Sequence, residues 1–188
     1  MLFIIYINDI DSISGSVKDD VTMKLFSDDV KILNVLQIYV NVESAIMLQH
    51  CLDLICNWAN TWQLKLSSSK CTVLSLGKAH VNTLYHCCDA VLPRVNQMTD
   101  LGIRIDDQLS FRSHIDTICT KAKQHVALIL DCFYSRNKYI VIRAFIAYVI
   151  PLLEYYCSVW PPSKLGLIDK LETIQYRFTN RLDGLQHL

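Results

Sequence analysis

The chain has 188 residues, of which 52% are hydrophobic and 19% charged; this excludes a disordered chain and supplies apolar surface for one core or two small ones. Its 18 Lys/Arg balance 18 Asp/Glu, which excludes a uniformly basic nucleic-acid binder. The distribution is uneven, with 7 basic against 9 acidic residues over positions 1–94 and 11 against 9 over positions 95–188, so a phosphate-binding surface is expected in the C-terminal half.

Residues 2–7 are apolar and stop at Asn8-Asp9. They read as the end of a buried helix or strand, and they lack the basic flank and the length of a signal or membrane span. Beginning inside an apolar run with no cap before it, the chain is expected to continue a longer one. Gly15, Ser16 and Asp19-Asp20 mark a loop. Residues 21–26 and 30–36 are β-branched and apolar around Ser27, Asp28 and Asp29, a pattern that predicts a hairpin.

Over residues 42–62, Ala45, Leu48, Leu52, Ile55, Trp58 and Trp62 recur at spacings of three and four, predicting a helix that covers the sheet with both tryptophans in the core. Residues 71–76, 83–87 and 101–105 read as short strands punctuated by Gly77, Pro93 and Gly102, together a small antiparallel sheet. Beyond Ser110, read as an N-cap, Ile115, Ile118, Ala122, Val126, Ile129 and Phe133 give a helical stripe. A second helix is predicted from Asn137 to near Pro151. A third starts at Leu165, carries Ile168, Leu171, Ile174, Phe178 and Leu182 on one face, and closes at Gly184. The apolar stretch 139–160 is interrupted by Arg143, Pro151 and Glu154 and reads as buried helices, not as a membrane span. The fold class is α+β.

Three Asp-Asp pairs occur. Asp19-Asp20 reads as a solvated turn and Asp106-Asp107 as a strand-to-helix turn. Asp28-Asp29 differs because it is wedged between two apolar strands. Carboxylates held together at a tight turn repel, and a divalent cation relieves that repulsion in two-metal phosphoryl or nucleotidyl transfer. Spacing alone leaves an ordinary polar hairpin tip as the simpler reading.

The 8 cysteines include no Cys-x-x-Cys pair and read as reduced intracellular thiols. His86-Cys87-Cys88, with His80 nearby, invites a zinc reading. Neighbours on a strand point to opposite faces, however, so these residues are expected not to share an ion. Cys51 and Cys56 read as packing residues of the helix.

Leu2-Phe3-Ile4-Ile5-Tyr6-Ile7-Asn8-Asp9-Ile10 followed by Lys24-Leu25-Phe26-Ser27-Asp28-Asp29-Val30-Lys31 resembles reverse transcriptases of non-LTR (LINE-type) retrotransposons. The likeness runs on through Trp62-Gln63-Leu64-Lys65-Leu66 to Lys70-Cys71, then Thr99-Asp100-Leu101-Gly102-Ile103-Arg104-Ile105-Asp106, Leu109-Ser110-Phe111 and His114-Ile115. It resumes at Pro151-Leu152-Leu153-Glu154-Tyr155, Val159-Trp160, and Leu171-Glu172 to Gln175-Tyr176-Arg177-Phe178-Thr179. Ser27 stands where alanine is usual, Ser67 where asparagine is common, and Cys88-Asp89 replaces an Asn-Gly-like turn.

The resemblance implies the C-terminal part of a polymerase palm over residues 1–106, a small antiparallel sheet with a covering helix, followed by a helical thumb or connection region over residues 107–188. It implies an RNA-directed DNA polymerase acting with two Mg²⁺ ions, Mn²⁺ as substitute, on an RNA template, a DNA primer and deoxynucleoside triphosphates. Asp28 and Asp29 would be the catalytic metal ligands, Asp28 the more direct, with Phe26 packed beneath the turn. Lys70 would match the lysine near the incoming phosphates, a proton donor to pyrophosphate, although a surface lysine reads equally well. Gly102 would belong to the primer grip. A helix over residues 111–138 carries Arg112, Lys121, Lys123, Arg136 and Lys138; Arg112, Lys121 and Lys123 would follow nucleic-acid phosphates, against the plainer reading of a solvated face.

The family's first catalytic aspartate and its fingers precede the segments matched here, so this polypeptide alone is expected to be inactive. The contrasting reading is a degenerate non-catalytic remnant, at most a nucleic-acid-binding module. Either is expected inside the cell, in nucleus or cytoplasm, away from membranes.

Overall fold

A computed structural model of the chain describes Ile10 and residues 21–35, 42–77, 83–133, 137–162 and 165–182, without the side chains of residues 42 and 43. Met1–Met98 and Thr99–Leu188 form two compact units.

In the first unit, β1 (Val21–Phe26) and β2 (Asp29–Asn34) pair antiparallel, with Phe26 opposite Asp29 and Val21 opposite Asn34. The turn is therefore only Ser27-Asp28, with Ser27 at φ 56°. Alternation directs Val21, Met23, Leu25 and Ile32 inward. The helix α1 (Val42–Thr61) follows. It is buried along two stripes instead of one: Cys51 and Ile55, with Trp58, pack on the hairpin, while Cys56, with Leu48 and Leu52, packs on Tyr85, Cys87 and Leu92. The expected core role of Trp62 fails, since it is 39% exposed at the helix end, where the apolar spacing outlasts the neighbours that bury it. Asn34 Nδ2 donates to Ser44 O at 2.8 Å, tying β2 to the start of α1.

The expected antiparallel sheet is replaced, among the described residues, by separate two-stranded ladders. After a 3₁₀ turn at Ser68–Lys70, β3 (Val73–Leu74) pairs in parallel with β6 (Arg94–Val95). Between them β4 (His86–Cys87) and β5 (Ala90–Val91) form a hairpin whose turn residue Cys88 takes φ 53°. Strands of two residues carry too little periodicity to be counted from sequence.

A tight hairpin joins β7 (Gln97–Asp100) to β8 (Ile103–Asp106) through Leu101-Gly102, at φ 46° and 84°. Positive φ at both turn positions matches the right-handed twist of the strands. The strand expected over residues 101–105 is thus a turn followed by β8, and β7 was absent from the sequence pattern.

The helix α2 (Arg112–Cys132) buries His114, Ile115, Ile118, Cys119, Ala122 and Ile129. Its N-cap is Phe111 in a left-handed conformation, φ 52°, and not Ser110. The helix stops at Cys132, so the single helix expected over residues 111–138 does not form; Lys138 opens α3 (Lys138–Tyr148) and Arg136 lies outside the described residues. The side chain of Asn137 caps α3, accepting from Tyr139 N at 3.1 Å. As expected, α3 stops close to Pro151, at Tyr148; Pro151 itself sits in the first turn of a separate short helix, α4 (Ile150–Glu154), where the missing N–H costs nothing. Tyr139, Ile146 and Tyr148 are exposed while Val141, Ala144 and Phe145 are buried, so α3 is amphipathic and not buried all round.

The last helix, α5 (Leu165–Thr179), buries Leu167, Ile174 and Phe178. Its end at Thr179 precedes the expected closure at Gly184, which is outside the described residues. Phe178 stacks on Phe145 with ring centroids 4.1 Å apart, and Trp160, 1% exposed, closes the core between α2 and the turns after α4. Among the described residues no helix is long and apolar enough to cross a membrane.

Candidate functional site

The β1–β2 hairpin places Asp28 in the turn and Asp29 as the first residue of β2, both exposed. Register fixes what surrounds them. Asp29 shares the outer face with its partner Phe26 and with the Lys24–Lys31 pair, because residues two apart on a strand share a face. Phe26 is 55% exposed, so it stands beside the turn and not beneath it. Two carboxylates adjacent in sequence at a two-residue turn can contribute ligand oxygens to one cation, and like-charge repulsion between them weakens when a cation binds. Among the described residues no third carboxylate or histidine gathers with them.

Lys70 ends the exposed 3₁₀ turn, its N–H donating to Ser67 O at 2.9 Å. No ion pair among the described residues joins its ammonium to Asp28 or Asp29. Gly102 lies in the second unit, and the Tyr155 hydroxyl crosses its turn to donate to Leu101 O at 3.0 Å.

Arg112 and Lys121 border one shallow cleft of about 600 Å³, with Arg104, Asp116, Thr117 and Gln124 among its other walls. Lys123 is exposed on the same helix but does not line that cleft. Arg104 was not singled out from sequence; β8 brings it alongside α2, where its guanidinium donates to Ser113 Oγ at 3.2 Å. Asp116 reduces the positive charge but is itself occupied by Lys170, 2.6 Å away, with both side chains about half exposed. An open cleft bordered by three cations and hydroxyl-bearing side chains offers donors that a phosphate ester can use.

Asp106 and His114 hold the junction of β8 with α2, the two elements that carry the cleft's lining residues. The Asp106 carboxylate accepts from Gln108 N (3.0 Å), Ser110 N (2.9 Å), Ser110 Oγ (2.8 Å) and Phe111 N (3.1 Å). Burial alone would raise its pKa, but the hydrogen bonds from Ser110, Gln108 and Phe111 outweigh it and the net shift is downward. The turn-and-cap reading of Asp106 is thus what the structure has. His114 is 3% exposed and meets Trp160 edge-on at 5.2 Å. Its Nδ1 accepts the N–H of Arg104 at 3.3 Å, which leaves the ring proton on Nε2, an atom without a partner among the described residues. Burial, then the charges of Arg104 and Lys121, holds its pKa below the usual histidine value.

The expectation that His86-Cys87-Cys88 cannot converge is half right. His86 stays apart, but the thiols of Cys87 and Cys88 meet Cys56, with all three sulfurs within 4.8 Å of one another. Cys88 sits in the turn and not on the strand, and its positive φ redirects the side chain. Nor is Cys56 only a packing residue. Burial and the hydrogen bond to Cys56 raise the pKa of Cys87, while for Cys88 the hydrogen bond to Cys56 leads and burial follows.

Comparison with known proteins adds a direction. The chain is 21% identical over 181 residues, 92% of its length, to the RNA-directed DNA polymerase from mobile element jockey of Drosophila funebris, of which it spans 19%. It is 24% identical over 133 residues, 69% of its length, to a probable RNA-directed DNA polymerase from transposon X-element of Drosophila melanogaster, spanning 15% of that protein. Over most of its length the chain is thus similar, at 21–24% identity, to proteins named RNA-directed DNA polymerases of mobile elements. A further relative, an uncharacterized protein of Caenorhabditis elegans, is 35% identical over 77 residues, 41% of this chain and 39% of that protein. No family model and no solved structure matches the chain. It therefore spans about a fifth of the length of the mobile-element polymerases it matches.

Proposed function

We propose that the chain is the palm remainder and thumb-like region of a reverse transcriptase of a non-LTR retrotransposon, and that Asp28 and Asp29 hold divalent magnesium during nucleotidyl transfer in the assembled polymerase. The observation that carries this reading is the tight β1–β2 hairpin, which presents Asp28 in its turn and Asp29 at the start of β2 to solvent, in a chain similar over most of its length to mobile-element polymerases. Neither outer edge of that hairpin is paired among the described residues. An unpaired strand edge is a template for another strand, so a further strand of the polymerase suits this edge and would bring another carboxylate beside the pair. Magnesium would supply Lewis acidity at the transferring phosphate. Asp28 and Asp29 bind and orient it, Lys70 serves the leaving pyrophosphate, and Gly102, Arg112, Lys121 and Lys123 follow primer and template phosphates.

Because two carboxylates alone hold magnesium weakly, the isolated chain binds primer-template without extending it. Filter binding to an RNA template with a DNA primer, across salt concentrations, tests this. Lys121→Ala and Lys123→Ala should each lower the salt slope by about one unit. Absence of salt-dependent binding would sink the thumb assignment, and magnesium-dependent extension by the isolated chain would show that its own carboxylates suffice.

A further inference from the structure

We propose that Cys56, Cys87 and Cys88 form a three-thiolate site for a thiophilic divalent cation, Zn²⁺, with solvent in the fourth position. The site is separate from the aspartate hairpin and does not depend on the polymerase reading.

Its geometry is set by the packing of α1 on β4 and Leu92 and by a side-chain clamp between the two elements. Gln49 and Cys56 lie seven residues apart on α1, hence on one face two turns apart. The Gln49 side-chain amide treats His86 as a neighbouring strand would, accepting from His86 N at 2.8 Å and donating to His86 O at 3.0 Å. That clamp sets β4 against α1 and delivers the next two residues to Cys56. The Cys56 and Cys87 sulfurs stand 3.7 Å apart. Tetrahedral zinc with Zn–S near 2.3 Å requires sulfurs about 3.8 Å apart, so this pair is already spaced for it.

Cys88 completes the set from the solvent side. Its sulfur is 2.8 Å from that of Cys56 and must move out by about 1 Å to meet the same spacing. Cys88 is exposed, in a turn, so rotation about its side-chain bond suffices without moving the core. The backbone N–H of Cys88 also donates to Cys56 Sγ at 2.9 Å, a donor of the kind that supports a metal-bound thiolate. Binding releases the thiol protons to solvent, and the exposed side of Cys88 is where a water ligand enters. Cys71 packs against the same cluster, but its thiol donates to Ser67 O at 3.4 Å and is not among the sulfurs that gather within 4.8 Å.

Titration of the reduced full chain with Co²⁺, followed by displacement with Zn²⁺, decides the matter. One equivalent should produce sulfur-to-cobalt charge transfer, abolished by zinc. Cys88→Ser, at an exposed position that leaves the core intact, should weaken binding at least about tenfold and diminish the charge-transfer band. Cys132→Ser, at an exposed thiol elsewhere, should change neither. A reduced chain that shows no such band overturns the site, as does a band that survives Cys88→Ser undiminished. So does a chain that isolates with a Cys56–Cys88 or Cys56–Cys87 disulfide and, once reduced, binds no Co²⁺.

Discussion

Replacing Asp106 with alanine removes the acceptor that organises the whole turn from β8 into α2. Four donors lose their partner, those of Gln108, Ser110 and Phe111. Those of Gln108 and Ser110 are exposed, so water replaces much of the loss, whereas the Phe111 N–H is half-buried and holds the left-handed residue that starts the helix. The cost should resemble that of a lost capping carboxylate, about 1–2 kcal/mol. In a domain of this size each kcal/mol moves Tm by roughly 4–8 °C.

The pH dependence follows from linkage. Asp106 has a lowered pKa in the folded state, so the unfolded state binds more protons in the acid range. Its contribution is complete above the ordinary carboxylate value, about 3.9, and is lost as pH falls through the folded value. Urea unfolding followed by Trp160 fluorescence measures this in a background with Trp58→Phe and Trp62→Phe, since the second unit holds no other tryptophan. The wild-type chain should exceed Asp106→Ala at neutral pH, and the gap should close in acid. Equal stability at pH 7, or a gap that persists undiminished in acid, would refute the reasoning.

His114, neutral and enclosed with Trp160 and with its pKa lowered, should make stability of the second unit rise with pH up to and through about 6.5, the unfolded histidine value. The folded state there binds fewer protons than the unfolded. His114→Gln should flatten that slope in the same unfolding assay; an unchanged slope would assign it elsewhere. Gly102→Ala should cost about 1–2 kcal/mol through its φ of 84°, and not through collision, since the added carbon would meet Tyr155 at an ordinary 3.5 Å. Thermal unfolding of Gly102→Ala unchanged from wild type would mean that the turn relaxes to another form.

The long periodic segments were legible because packing repeats in them: the stripes of α1, α2 and α5 give their burial at spacings of three and four. So was the β1–β2 hairpin, since two apolar runs around three polar residues have few alternatives. What was hidden is tertiary. The parallel pairing of Val73 with Arg94 joins residues with no local signal. Ser27, Cys88, Leu101 and Phe111 take positive φ without being glycine or asparagine, so turn chemistry did not mark them. The thiol cluster depends on the conformation at Cys88 and on the Gln49 clamp, neither of which spacing reveals, and the cleft needs Arg104, which lies in an expected strand but whose place alongside α2 no local pattern marks. Asp28 and Asp29 owe their proposed purpose to the resemblance, because spacing alone left an ordinary polar hairpin tip as the simpler reading; the structure places them, both exposed, at the tip of that hairpin.

The most direct measurement of that purpose is a chimera in which this chain replaces the matching fifth of the jockey polymerase, assayed for primer extension on RNA with Mg²⁺. Extension that Asp28→Asn abolishes, while primer-template binding remains, is the predicted result. A chimera that binds primer-template but does not extend it, or one whose extension survives Asp28→Asn, would contradict the assignment of this hairpin to the metal site.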